Sequence, residues 1–330
     1  MQLTPELSVV VPCYNEVRGI SELQSRVTSC LDRLQCAWEV VLVDDGSNDG
    51  TFDELVRVHG IDSRFKLVRL SRNFGQQAAI CAGIGHTLGR AVAIMDADMQ
   101  DPPELLERCL KKIKEGYDVV YTVRRKRKEG LLKRAAYCSF YRIFDALSAQ
   151  SIPANAGDFC VLTRQVVEVL VGMPEQRPFI RGLRAWAGFR QIGVDYERDR
   201  RAFGKSNYNF RKLASLAFDG IFSFSFLPLR LPWMIGLFLL TGAVLAIPIA
   251  VAHHKSSSGA LLIILLLFLS GLQFIFLGCM GEYVARIYDQ GKQRPRWIVA
   301  ETLGIENVPP TAKTQGREPM VGTPGLREML

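Results

Sequence analysis

Short apolar runs recur through the first 125 residues, and longer segments with helical spacing separate them. Unbroken hydrophobicity in such short runs is typical of strands that are covered on both faces, as in parallel sheets. The pattern predicts strands at 7–11, 39–43, 65–70, 90–95 and 118–123, with crossover helices at about 20–35, 51–59, 74–88 and 103–115. Strands that alternate with helices in this way indicate a doubly wound α/β sheet.

The pattern changes after the fifth strand. A helical stretch at 131–148 and strands at 158–162 and 189–197 complete a globular domain that we place at 1–206, and 207–230 alternates aromatic, aliphatic and basic residues as interfacial helices do. The segments 231–252 and 256–281 contain no charged residue. Each is long enough, at ~1.5 Å per residue, to cross ~30 Å of hydrocarbon. We therefore expect a two-helix transmembrane hairpin followed by a tail, 282–330.

Basic residues are unevenly distributed in this chain of net charge +8. They concentrate at 124–128 and 198–205 and after the second predicted span, whereas the loop between the spans holds one lysine, Lys255. The positive-inside rule then places both termini in the cytoplasm. Because these runs lie mostly beside membrane segments, anionic lipid or a phosphorylated substrate is favoured over nucleic acid. The eight cysteines form no CxxC pair and are expected to be reduced, and no secretory leader is expected.

Acidic residues follow three of the predicted strands, at 12–16, 44–50 and 96–101. Ligands of doubly wound sheets bind at the carboxyl ends of the strands. These three segments are therefore the candidate site.

Asp96 and Asp98 stand two residues apart where a buried strand ends, so both carboxylates point the same way on an extended backbone. Gln100 continues the spacing with an amide oxygen. Oxygen ligands of this kind suit Mg²⁺ or Mn²⁺. The alternative is a helix start, which the sequence from Asp101 to Glu104 also resembles.

Asp44 and Asp45 begin a segment that, taken alone, is a turn with helix capping. Beside the first strand, a carboxylate there is also placed to accept a hydrogen bond from a nucleotide base or a ribose. The segment 12–18 has no GxGxxG sequence, and the chain has no Walker A sequence. A metal would therefore have to hold a bound pyrophosphate.

Six segments, in this order, resemble the family 2 glycosyltransferases of GT-A (Rossmann-like) fold, in the branch of dolichyl-phosphate mannose synthase and bacterial polyisoprenyl-phosphate glycosyltransferases. The matching segments are VVPCYNE at 10–16, VDDGSNDG at 43–50, SRNFGQ at 71–76, MDADMQDPP at 95–103, AGDF at 156–159 and FGKSNY at 203–208. The processive branch of the same superfamily is disfavoured, because the chain has no QxxRW sequence and only two predicted spans.

The resemblance implies roles for particular residues. Those implied for nucleotide binding are Pro12, Tyr14, Glu16, Asp44, Asp45 and Asp96; those for the metal are Asp96, Asp98 and Gln100; Asp158 is the implied catalytic base; and the acceptor-phosphate contacts are Arg124, Arg134, Lys205 and Ser206. Asp158 has the alternatives of orienting a substrate or pairing with an arginine.

The resemblance also implies a reaction: inverting transfer of a hexose from a nucleotide sugar to polyprenyl (undecaprenyl) phosphate at the cytoplasmic membrane face. UDP-glucose is the favoured donor, with GDP-mannose and a UDP-aminopentose as alternatives. Glycines within the predicted spans are compatible with a homo-oligomer. A membrane partner that binds nucleotide sugar or lipid without catalysis is the alternative from another class.

Overall fold

The structure, a computed structural model, describes residues 4–124, 156–176, 178–196 and 259–305, together with the isolated positions 235, 236, 238 and 241. The chain divides into two compact units. The first comprises Met1–Ala97, Leu162–Pro174 and Trp297–Leu330, and the second comprises Asp98–Val161 and Glu175–Arg296.

The first unit is built on a parallel sheet with one antiparallel edge strand. Its strands are β1 (Leu7–Cys13), β2 (Trp38–Asp44), β3 (Phe65–Leu70), β4 (Ala91–Ile94) and β8 (Val299–Leu303), in the order β4-β1-β2-β3-β8. Only β8 runs antiparallel, beside β3. Its helices are α1 (Ile20–Arg33), α2 (Thr51–Ile61), α3 (Gln76–Gly85) and α5 (Arg164–Gly172).

Helix α3 lies directly against the strands that lead to the candidate site. Most of its residues are buried, and Gly83 makes this close approach possible, because a Cβ atom there would lie 2.3 Å from Val10 Cγ1. The central strand β1 is fully buried at Val9, Val10 and Val11. The apolar run on β1 thus fixes the level at which the polar residues after it emerge.

The second unit contains α4 (Leu105–Lys114), β5 (Val119–Arg124), α6 (Ile180–Trp186), β7 (Gln191–Tyr196) and α7 (Gly259–Gly291). Strand β6 (Ala156–Thr163) begins in this unit and ends in the first. The strand order is β7-β5-β6, and β5 and β7 are parallel.

The structure confirms the predicted strands of the first 125 residues and the four crossover helices, and the doubly wound α/β prediction with them. The strands predicted at 158–162 and 189–197 correspond to β6 and β7. Helices α5 and α6 and strand β8 were not predicted, and β8 lies within the predicted tail, 282–330. The predicted helix 131–148, the interfacial segment 207–230 and nearly all of the predicted span 231–252 lie outside the described residues.

The second predicted span, 256–281, overlaps α7, a continuous helix of 33 residues. Within the described ranges, no helix combines the length and apolarity that crossing a membrane requires. The transmembrane hairpin therefore stays a prediction.

A buried polar network lies at the amino ends of the parallel strands. Ser8 and Glu39 face each other across β1 and β2, and Ser8 Oγ donates to Glu39 Oε1 over 2.5 Å. The same carboxylate accepts from Leu88 N at 2.7 Å and pairs with Lys66 Nζ at 2.7 Å, while Gly89 N donates to Ser8 Oγ at 2.8 Å. One carboxylate thus satisfies groups from three segments.

We expect Glu39→Ala to lower the free energy of unfolding by about 2–4 kcal/mol, because it leaves Ser8, Lys66 and the Leu88 amide without their acceptor. Thermal unfolding of the full chain measures this. Glu54→Ala is the control, since it removes the surface ion pair with Arg57 and is expected to change little. Equal effects of the two substitutions would contradict the importance of the buried network.

Candidate active site

The loops that follow β1 and β2 are joined by hydrogen bonds between backbone and side chains. Asn15 N donates to Ser47 Oγ (3.0 Å), Asn48 N to Asn15 Oδ1 (3.1 Å), and Glu16 N to Thr51 Oγ1 (2.9 Å). Asn15 has a left-handed backbone, with φ of 55°. The structure therefore brings the 12–16 and 44–50 segments together, as the sequence predicts.

Residues implied in nucleotide binding differ in accessibility. Tyr14 is exposed, Pro12 and Glu16 are half-buried, and Asp44 and Asp45 are buried. Of this set, the Tyr14 ring is the most accessible surface for a planar ligand.

The two buried aspartates contact different groups. Asp44 Oδ1 accepts from Ser47 N at 3.1 Å, and its Oδ2 lies 3.7 Å from Arg69 Nε. Asp45 Oδ1 accepts from Phe74 N at 2.7 Å and Oδ2 from Gly75 N at 2.9 Å. Burial raises the pKa of the Asp45 carboxyl, although these two amides oppose the shift. The role of either aspartate toward a base stays a prediction, since the observed contact of Asp45 is with the 71–76 loop.

The 71–76 loop connects Asp45 to Asp96. Gly46, with φ of 68°, lies so close to the loop that a Cβ atom would be 2.5 Å from the Arg72 carbonyl carbon. Gln76, the first residue of α3, donates from Nε2 to Asp96 Oδ1 at 2.7 Å. The position of Asp96 is therefore supported by a loop that Asp45 and Gly46 hold in place.

Exposure alternates along the segment after β4. Asp96, Asp98 and Gln100 are half-buried, whereas Ala97 and Met99 are buried. This alternation agrees with the two-residue spacing of the predicted metal ligands. The chain turns at Met99 (φ 51°), and Gln100 N donates to Asp98 Oδ1 at 3.2 Å. The three residues predicted to bind metal are thus all half-buried.

The segment from Asp101 to Glu104 does lead into a helix, but Asp101 is not its N-cap residue. Helix α4 begins at Leu105 with Glu104 at its N-cap and no side-chain cap. Asp101 is buried, and its Oδ1 accepts a hydrogen bond from the Tyr196 hydroxyl at the end of β7. Asp101 therefore anchors the segment that carries Asp98 and Gln100.

The three predicted metal ligands, Asp96, Asp98 and Gln100, all offer oxygen atoms to a cation. Among the described residues, no three His, Cys, Asp or Glu side chains are close enough to hold a metal ion by themselves. Two carboxylates and one amide on a half-buried segment fit a hard divalent cation that also takes oxygens from a substrate diphosphate and from water.

Asp158 lies on β6 and forms a two-point ion pair with Arg181 on α6. Arg181 Nε is 2.6 Å from Asp158 Oδ1, and Nη2 is 2.7 Å from Oδ2. Pairing with an arginine, one of the alternatives for Asp158, is therefore what the structure shows.

The predicted acceptor-phosphate residues are mostly outside the described part of the chain. Arg124 is the last residue of β5, while Arg134, Lys205 and Ser206 lie outside the described residues. Their roles stay predictions.

Three residues that contact the predicted site segments had no role assigned from the sequence: Gln76, Arg181 and Tyr196. Gln76 belongs to the SRNFGQ segment, so the family resemblance already pointed to it. Arg181 and Tyr196 are 23 and 95 residues from their partners, and nothing in the local sequence signals such contacts.

We expect Gly46→Ala to destabilise the protein by about 1–3 kcal/mol, because the new Cβ meets the loop backbone and the positive φ disfavours alanine. Gly60→Ala on α2 is the control, since a Cβ there meets nothing within 4 Å and alanine favours a helix. Thermal unfolding compares them. An unchanged midpoint for Gly46→Ala would show that the loop adapts without cost.

Comparison with known proteins identifies the family. The family model "Glycosyl transferase family 2" matches residues 8–171. The glycosyltransferase YkcC of Bacillus subtilis is 41% identical, covering 92% of this chain and 95% of that protein. The bactoprenol glucosyl transferase of Shigella phage SfX is 36% identical over 89% of this chain and 98% of its own length.

Two further matches show the range of similarity. The glucosyl-3-phosphoglycerate synthase of Mycobacterium tuberculosis, a solved structure, has a TM-score of 0.47 at 18% identity, covering 66% of this chain and 76% of that one. The undecaprenyl-phosphate 4-deoxy-4-formamido-L-arabinose transferase of Salmonella choleraesuis is 33% identical over 94% of this chain and 97% of its own length. The chain therefore belongs to glycosyl transferase family 2, on the branch that includes the bactoprenol glucosyl transferases.

Proposed function

We propose that this glycosyltransferase moves glucose from UDP-glucose to undecaprenyl phosphate on the cytoplasmic face of a membrane, with inversion at the anomeric carbon. The observation that carries the proposal is the half-buried pair Asp96 and Asp98 after β4, in a chain that matches bactoprenol glucosyl transferases along 89% of its length. The formamido-arabinose transferase supports the same lipid acceptor with another sugar. The acceptor class thus has broader support than the identity of the sugar.

The donor nucleotide is proposed to bind at the loops that follow β1 and β2. Tyr14 offers an exposed ring for stacking, and Pro12 and Glu16 are next to it in the chain. Asp44 accepts from Ser47 N within the loop after β2, and Asp45 holds the neighbouring 71–76 loop. Asp96, oriented by Gln76, completes this set in the first unit.

Asp96, Asp98 and Gln100 would hold Mg²⁺ or Mn²⁺. The cation supplies positive charge that stabilises the leaving nucleoside diphosphate. The chain's own contribution is to position these side chains: Gln76 holds Asp96, and Tyr196 holds Asp101 at the end of the segment.

The acceptor requires little activation. The second pKa of a phosphate monoester is about 6, so much of a lipid phosphate is dianionic at neutral pH. The difficulty is to bring two anions together, and we propose that Arg124, Arg134, Lys205 and Ser206 bind the acceptor phosphate for that purpose. Asp158 is proposed to act beside the reacting atoms, as the resemblance implies.

We propose a membrane location because the acceptor is a lipid, and both termini in the cytoplasm because basic residues concentrate outside the loop between the two predicted spans. Apolar side chains of α7 are exposed in the single chain, among them Leu262, Phe268, Phe274 and Ile275. Such a surface is suited to contact with lipid or with a second copy of the chain, and we propose both.

We expect purified full-length protein, given undecaprenyl phosphate, Mn²⁺ and a panel of radiolabelled UDP- and GDP-sugars, to transfer label into the organic phase from UDP-glucose. Label from GDP-mannose or a UDP-aminopentose instead would correct the sugar and keep the acceptor. Intact nucleotide binding without transfer from any donor would contradict catalysis and favour a binding partner.

We expect Asp98→Ala to reduce this transfer at least about 100-fold and to weaken Mn²⁺ binding in the presence of UDP, because a metal ligand is lost. Asp53→Ala, which removes an exposed carboxylate on α2, is the control. Electron paramagnetic resonance of bound Mn²⁺ gives a readout that is independent of turnover. Equal Mn²⁺ affinity in both variants would exclude Asp98 from the metal site.

A further inference from the structure

The ion pair between Asp158 and Arg181 has little contact with solvent. The Arg181 side chain is 23% exposed and that of Asp158 is 15% exposed, and the two parallel contacts measure 2.6 and 2.7 Å. Two-point arginine–carboxylate pairs are stronger and more directional than single contacts. The orientation of the Asp158 carboxylate is therefore set by Arg181.

A second arginine, one helical turn further along α6, holds the neighbouring residue of the strand. Arg184 is 2% exposed, and its Nη2 donates to the Gly157 carbonyl at 3.2 Å. Its guanidinium lies 5.1 Å from the Tyr121 ring, and its own carbonyl accepts from Gln191 Nε2 at 2.8 Å. Helix α6 is thus fixed against β5, β6 and β7, and a short helix held so firmly is a rigid base for Arg181.

Contacts with β5 also hold the backbone of β6 on both sides of Asp158. Thr122 Oγ1 donates to the Phe159 carbonyl at 3.1 Å, and a Cβ atom on Gly157 would lie 2.7 Å from the same hydroxyl. The residues on both sides of Asp158 are therefore fixed by β5. Backbone and carboxylate are positioned by separate contacts, as a site with preorganised charge requires.

A carboxylate in this setting is poorly suited to accept a proton. Protonation would remove the negative charge that pairs with a partly buried guanidinium, which is costly. A dianionic lipid phosphate, in turn, has no proton to give up at neutral pH. The geometry favours a fixed negative charge at Asp158 over a proton acceptor.

We propose that Arg181 is a positioning residue of the active site and that Asp158 and Arg181 act as one unit, in which Asp158 serves as a fixed anion and not as a general base. This inference rests on the proposed transfer to polyprenyl phosphate. Arg181 holds the Asp158 carboxylate by two contacts, so we expect its loss to disturb turnover without removing the nucleotide site.

The experiment is a double-mutant cycle on the full-length protein in detergent, with Arg181→Gln, Asp158→Asn and the double variant. Initial rates of lipid-linked product at saturating donor and acceptor give kcat, and calorimetry with UDP and Mn²⁺ gives nucleotide affinity. We expect each single variant to lose at least about 10-fold in kcat, the double variant to lose no more than the worse single one, and UDP affinity to be unchanged. Arg190→Gln, at an exposed arginine of the same unit, is the control.

Near-wild-type kcat in Arg181→Gln with a large loss in Asp158→Asn would overturn the proposal, and so would losses that multiply in the double variant. If Arg181→Gln fails to bind UDP, Arg181→Lys tests the proposal instead, because it keeps the charge and loses the second contact. A reduced kcat at unchanged UDP affinity in Arg181→Lys supports the proposal, and an unchanged kcat overturns it. Absence of transfer by the wild-type protein would instead refute the proposed function itself.

Discussion

The part of the candidate site that lies in the first unit depends on the contacts of the buried Asp45 carboxylate. Both of its oxygens accept backbone amides of the 71–76 loop, at 2.7 and 2.9 Å, and no side chain is needed on the loop for this recognition. The loop then begins α3 with Gln76, which contacts Asp96. The contacts of Asp45 at the end of β2 thereby support a residue that follows β4, since both strands flank β1 and run parallel to it.

In the first unit, the polar residues that stabilise the sheet and the residues of the candidate site lie at opposite ends of the strands. At the amino ends, Ser8, Glu39 and Lys66 form a buried network of one hydrogen bond and one ion pair. At the carboxyl ends, Tyr14, Asp96 and Gln76 remain at least partly exposed. A buried polar network rigidifies the sheet, whereas the partly exposed residues at the opposite end lie where a doubly wound sheet binds its ligands. The same strands thus serve both purposes without conflict.

Much of this fold was predictable because short local patterns in the sequence indicate it. Continuous apolar runs give the parallel strands, and acidic residues directly after them give the site segments. Contacts between distant segments were not predictable, since neither Arg181 nor Tyr196 differs from any other arginine or tyrosine until the fold places it beside Asp158 or Asp101. Strand β8 was missed for another reason: its sequence, VAETL, is short and half-polar, as suits an exposed edge strand that only pairing with β3 creates.

That edge strand also connects the chain after α7 to the candidate site. The Ile298 carbonyl, just before β8, accepts from Ser71 N at 2.9 Å, where the 71–76 loop begins. Arg69 lies 4.0 Å from Glu301 of β8 and 3.7 Å from Asp44, and it stacks on Phe52. The loop is thus held at its start by β8 and at its end by Asp45. Strand β8 follows α7 in the chain after a connection of seven residues, and it pairs with β3 in the unit that contains the 71–76 loop. A segment near the end of the described chain thus takes part in holding a loop whose sequence lies near residue 75.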